Sequence, residues 1–182
     1  METRNFYILI VSILIGLTTF WLFLIAIIEL DIDLFQDPKK IEIKGNGVNR
    51  EITLSLSDLK SDQYLQIEDK VYHIMNSVGS EYDVTYSGVS LWSVLEIEGI
   101  LNDDPSVLTF QFFARDGYRS PKPLNLSIAQ LNPELVILAY EKNGDPLFED
   151  GPLRSVIDQS IMPSGEYSSQ YSVQMLKEIV IN

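Results

Sequence analysis

Hydrophobic and polar positions alternate along this chain with three different periods. Phe6 to Ile28, FYILIVSILIGLTTFWLFLIAII, is an uncharged, predominantly apolar run. Roughly 23 residues rising 1.5 Å each cross about 30 Å of hydrocarbon, so residues 6–28 predict one transmembrane helix. Beyond Lys40 the period falls to two. IEIKG and REITLS alternate on either side of Gly45-Asn46-Gly47 and predict a hairpin. Ser57 and Asp58 open a short helical turn, and YLQIED and VYHIMNS carry the aromatic and branched residues of two further strands.

At Ser90 the period becomes helical: Leu91, Val94 and Leu95 recur on one face and Gly99 supplies the stop. Val107 to Ala114, VLTFQFFA, is strand-like and apolar on both faces, which predicts a central strand with Phe110, Phe112 and Phe113 in the core. Pro121 and Pro123 interrupt pairing, Ser127 caps a short helix reaching Asn132, and Leu135 to Tyr140 and Leu153 to Ile157 read as strands. Residues 161–171 read as a long polar loop, more simply a plain mobile loop than the adaptable contact surface that Tyr167 and Tyr171 among serines would also suit, before a last strand over 172–181. Strands and helices do not alternate regularly, which predicts an α+β fold with a mixed sheet.

The expected organisation is a tail over residues 1–5, the helix over 6–28, a linker over 29–40 and one domain over 41–182. Arg4 precedes the apolar run, while Glu29, Asp31, Asp33 and Asp37 follow it, which puts the amino terminus in the cytoplasm and the domain outside, on a single-pass cell-membrane protein. The run is too long for a signal peptide, and AIIELDID offers no small-x-small cleavage site. Lipid is therefore the expected partner of residues 6–28. Ser12 and Gly16 are spaced to seat a second helix, although chance gives that spacing equally well.

Charge narrows the function. The net charge of -13 lies wholly on the outer portion. Such a domain repels phosphate backbones and anionic headgroups, so nucleic acid is not an expected partner and cations or a basic protein fit better. Cysteine is absent, so no disulfide and no thiolate nucleophile or ligand exists. His73 is the sole histidine and by itself builds neither a metal site nor a catalytic triad; a structural role on its strand is expected. Asp103-Asp104 and Glu149-Asp150 are paired carboxylates without the spacing of a calcium loop.

Three segments in order, YSGVSLWSVLEIEGI, FFARDGYRSPKPL and ILAYEKNGDPLFEDGPLRSVI, with the ending YSVQMLKEIVI, resemble the molybdopterin-binding oxidoreductase domain of the sulfite oxidase family. The resemblance covers roughly Val71 to the end. It implies a mixed α/β fold whose loops and basic side chains grip a pyranopterin. Arg154 matches an arginine beside the pterin pocket, Asp116 and Tyr118 match a turn of the family, and Asn143 its hairpin. The family's molybdenum-binding cysteine falls in VYHIMNSVG, where Met75 or a neighbour stands, with His73 two residues away and able to line the same pocket. A neutral thioether does not replace a thiolate. Asp150 stands at the family's histidine and Gln174 at its closing lysine, removing two cations that would meet an anionic phosphate. The expected pocket is lined by Met75, Arg154, Asp150 and Gln174. The expectation is a non-catalytic binding or assembly module without a cofactor; the alternative implied by the resemblance is an oxidoreductase-type domain holding molybdopterin without a cysteine ligand.

Overall fold

The computed structural model describes residues 12–21, 37, 39–148 and 151–182. The chain divides into two units, Met1–Gln36 and Asp37–Asn182. In the first, residues 12–21 are helical (α1), with exposed side chains. The Thr18 and Thr19 hydroxyls donate to the Ile15 carbonyl at 2.9 and 3.0 Å, as hydroxyls in an apolar helix must when no water serves them. The predicted transmembrane helix also covers 6–11 and 22–28, which lie outside the described residues. Among the described residues no helix is long and apolar enough to cross a membrane.

The second unit holds a mixed sheet and an antiparallel sheet. The first runs β2 (Ile52–Ser55), β1 (Lys40–Lys44), β10 (Leu176–Ile181), β5 (Thr109–Ala114), β6 (Leu124–Asn125). β1 and β2 form the hairpin expected around Gly45-Asn46-Gly47, and the closing strand β10 lies parallel to β1 and antiparallel to β5. The second sheet runs β3 (Gln66–Met75), β4 (Glu81–Ser90), β7 (Val136–Lys142), β8 (Asp145–Pro146), and β9 (Arg154–Ile157) also pairs with β7. YLQIED and VYHIMNS are thus parts of one ten-residue strand. A bulge at Glu68–Asp69, where Asp69 adopts φ 45°, breaks the alternation and makes the strand read as two.

The expected helix is α3 (Leu91–Glu98): the Ser90 hydroxyl accepts the Ser93 N–H, and Gly99 closes it at φ 58°. α2 (Leu56–Leu59) starts one residue before Ser57 because Ser55 is its cap, in a reciprocal box with Asp58. In α4 (Ser127–Leu131), Ser127 is not the cap. Instead Asn125 Oδ1 accepts its N–H at 3.0 Å, an asparagine turn that leads into the helix.

The main core fills the space between sheets and helices with Ile41, Ile43, Phe110, Phe112 and Ile179 from one side and Val89, Leu91, Leu95 and Leu138 from the other. A smaller core forms on the other face of the second sheet from Ile67, Tyr72, Ile74, Tyr86, Ile137, Ala139 and Val156. β7 is therefore buried on both faces. β5 is buried on one: Phe110 and Phe112 point inward and Phe113 is only part-buried. β7 packs closely. A Cβ on Gly88 of β4 would meet Leu138 O at 2.6 Å, so the bulge between Ser87 and Gly88 accommodates glycine alone.

Candidate functional site

The site expected from sequence centres on Arg154. Its strand is wholly buried, and the side chain, 7% exposed, lies on the face of Ala139 and Tyr86. The guanidinium sits 5.5 Å from the centre of the Tyr86 ring, and Nη2 donates to the Ser172 carbonyl at 3.3 Å. This arginine is a buried, stacked cation.

Residues 170–176 carry the arrangement outward. On one side Ser155 N–H donates to Val173 O at 3.1 Å and Leu176 N–H to Leu153 O at 2.9 Å. On the other side, Arg115 N–H donates to Met175 O at 3.0 Å and the Tyr118 hydroxyl to Gln170 O at 2.8 Å. The strip thereby links Arg154, bonded to the Ser172 carbonyl, with Tyr118, bonded to the Gln170 carbonyl, and carries Gln174 two residues beyond Ser172. Gln174 is exposed, Asp116 Oδ1 accepts the Tyr118 N–H at 2.9 Å, and burial raises the Tyr118 hydroxyl above its ordinary pKa. Gly151, at φ 76°, packs where a Cβ would come within 2.7 Å of Met175 Cα. Asp150 and Glu149 lie outside the described residues.

The segment from Asp158 to Tyr171 is not the plain polar loop expected. Two 3₁₀ turns, Gln159–Ile161 and Ser168–Gln170, fold it against β3, and Ser168 and Tyr171 are buried. Tyr171 donates to Glu166 Oε2 at 2.6 Å, and Lys122 Nζ lies 2.6 Å from Glu166 Oε1. Tyr171 is therefore core rather than adaptable surface, because its ring fills space beneath a closed ion pair. Met75 meets this segment through its backbone, donating to Ser168 Oγ at 3.0 Å.

His73 lies on the outward face of the β3–β4 hairpin. Nδ1 is 2.9 Å from Asp83 Oδ1 and Nε2 is 3.4 Å from Glu81 Oε2, and these carboxylates raise its pKa, the Asp83 hydrogen bond first. The imidazole bridges two cross-strand carboxylates and forms an ion pair with them when the ring is protonated. Asn143 stands apart in the β7–β8 turn at φ 54°, where its N–H donates to Thr85 O at 2.9 Å. Asp103 and Asp104 cap their own turn, Asp104 Oδ1 accepting the Ser106 N–H at 2.8 Å.

A metal centre of the family's type does not fit these residues. Met75 pairs across the hairpin with Glu81, a carboxylate, and the neighbouring imidazole is committed to Asp83 and Glu81. Among the described residues no three His, Cys, Asp or Glu side chains converge to hold a metal. Sequence reasoning missed a cleft of 410 Å³ beside the bulges, whose lining includes Asp62, Glu68, Asp69, Tyr140 and Glu141. Only the bulge at Asp69 could have signalled it, and a bulge is visible once pairing is known.

The profile of the family described as "Oxidoreductase molybdopterin binding domain" matches residues 30–180. Among solved structures, the sulfane dehydrogenase SoxCD from Paracoccus pantotrophus is similar in fold, at a TM-score of 0.58 and 15% identity over 81% of this chain. The chain spans 39% of that protein's length. No curated protein matches.

Proposed function

Because this chain belongs to the oxidoreductase molybdopterin-binding domain family, we propose that it uses that fold for binding and assembly at a membrane and not for catalysis. In this reading residues 6–28 span the cell membrane, 29–40 link, and 41–182 form an acidic domain outside the cytoplasm. No cofactor is expected. The observation that carries the reading is the end of β3, where the family's cysteine strand presents Met75 opposite Glu81. A neutral thioether beside a carboxylate offers molybdenum neither the charge nor the donor strength of a thiolate.

Tethering raises the effective concentration of the domain near other membrane proteins, and the charge of -13 selects a partner with a basic surface. Nucleic acid is not expected. Crosslinking in intact membranes tests this: a stoichiometric protein with a basic surface should be recovered, and recovery should fall as salt rises from about 0.1 to 0.5 M because the Debye length shrinks. Recovery of no stoichiometric protein, or recovery indifferent to salt, contradicts it.

One observation favours a second reading, in which a molybdopterin is held without a cysteine. Arg154 occupies the position of the family's pocket arginine and keeps a buried guanidinium there. Pterin content of the purified chain separates the two readings.

A further inference from the structure

The basic residues of this acidic chain are unevenly placed. Lys39, Lys40, Lys60 and Arg115 meet where the second unit begins. Arg115 Nη2 donates to the carbonyls of Asp37 and Lys40 at 3.0 and 2.6 Å, and Leu56 N–H donates to Lys39 O at 2.6 Å, so this end of the domain is pinned at several points. Beside it lies a groove of 370 Å³ lined by Asp37, Lys39, Ser55, Leu56, Ser57 and Lys60. Two nearby carboxylates are already engaged. Asp58 accepts from the Ser55 N–H and hydroxyl at 2.8 and 2.6 Å, which holds its pKa below the ordinary value, and Glu141 lies 3.3 Å from Lys60 Nζ. Lys39 and Lys40 are exposed and form no ion pair among the described residues.

We propose that this groove, with Lys39 and Lys40, binds the phosphate headgroups of anionic phospholipids in the membrane that holds residues 6–28. The inference rests on the anchored reading above. Asp37 follows Ile28 by only nine residues of sequence. Phosphate matches the ammonium groups and the exposed Ser57 hydroxyl, and Leu56 offers an apolar contact to the glycerol. The net negative charge of the domain does not forbid this, because remote charges are screened beyond about 8 Å at physiological salt. Locally Lys39, Lys40, Lys60 and Arg115 stand against Asp37, the engaged Asp58 and Glu141, which is paired with Lys60. Each lysine near an anionic surface biases contact by about fivefold.

The lack of cysteine makes the test clean. In the full chain, Ser57→Cys places one fluorescent label in the groove, and Val78→Cys, at an 83% exposed position in the β3–β4 turn, places a reference label. Each is incorporated in nanodiscs of phosphatidylcholine with or without phosphatidylglycerol, together with a headgroup-bound quencher. The expected result is stronger quenching at position 57 in the anionic discs, a contact population roughly 20-fold lower in Lys39→Gln/Lys40→Gln, and no lipid dependence at position 78. Equal quenching in both lipids, or equal lipid dependence at both positions, overturns the headgroup site. Retention after an alkaline wash is scored separately: a chain that washes off overturns the anchored reading and this site with it. A retained chain without lipid-dependent quenching overturns the site alone.

Discussion

The backbone N–H of His73 donates to Oδ2 of Asp158 at 2.8 Å, across 85 residues of sequence. Two residues on, Met75 N–H donates to Ser168 Oγ. β3 is the outer strand of its sheet, and these side-chain oxygens take the edge groups that an added strand would otherwise take. Asp158 is 7% exposed and also accepts the Ser160 N–H at 2.9 Å. Asp158→Ala should therefore cost about 1.5–3 kcal/mol by removing a charged acceptor from part-buried donors, and Asp158→Asn, which keeps an acceptor, should cost less. Denaturant unfolding at neutral pH measures both; an alanine variant as stable as the parent would refute the clamp.

Gly88 makes a sharper steric prediction. Its absent Cβ would lie 2.6 Å from Leu138 O and 2.8 Å from Ala139 Cα, both backbone atoms of the doubly buried β7. Backbone cannot rotate away as a side chain would, so Gly88→Ala should cost about 2–3 kcal/mol or more and shift the unfolding midpoint at unchanged slope. A midpoint within error of the parent contradicts the packing described.

Much of this architecture was legible beforehand, and the misses have physical causes. Ser90 and Gly99 marked both ends of α3 because caps are local chemistry, and Gly45-Asn46-Gly47 marked the first hairpin for the same reason. β4 went unread: Tyr82, Val84 and Tyr86 alternate with Glu81, Asp83 and Thr85, but Tyr82 is exposed, Val84 only part-buried, and the bulge before Gly88 breaks the period. Arg154 was found through a motif, but its stacking on Tyr86 depends on β4 and β7 being neighbours, which no local pattern encodes. The burial of Tyr171 was hidden for a related reason. Its neighbours are serines, and only the fold against β3 shows that they line an interior.

His73 gives the chain a pH-dependent term. Asp83 and Glu81 raise its pKa above the ordinary 6.5, so the folded state binds the proton more tightly. The stabilisation is fully present below the unfolded value near 6.5 and is lost as pH rises through the higher folded value. The Tm difference between the parent and His73→Gln should accordingly shrink from pH 5.5 to pH 8.5. A difference that widens over that range would mean the ion pair is not formed.

Arg154 should be needed for stability whether or not anything binds beside it. Removing its guanidinium strips the Tyr86 ring and the Ser172 carbonyl of their partner and leaves a void, so Arg154→Ala should lose about 2–4 kcal/mol. Arg154→Lys should recover only part, since an ammonium lacks the delocalised guanidinium that lies over the Tyr86 ring. Thermal unfolding of the three proteins orders them; a lysine variant equal to the parent would show that the stacking contributes nothing.

We propose that a molybdopterin-family fold serves binding here without its cofactor, since Met75, opposite Glu81, stands at or beside the position that the resemblance gives to the family's thiolate. The most direct test is the pterin and molybdenum content of the full chain purified from a molybdenum-replete host, by fluorescence after oxidative denaturation and by elemental analysis. The account predicts that both are absent at any stoichiometric level. A preparation carrying close to one pterin per chain would contradict it and return the domain to the cofactor-binding reading.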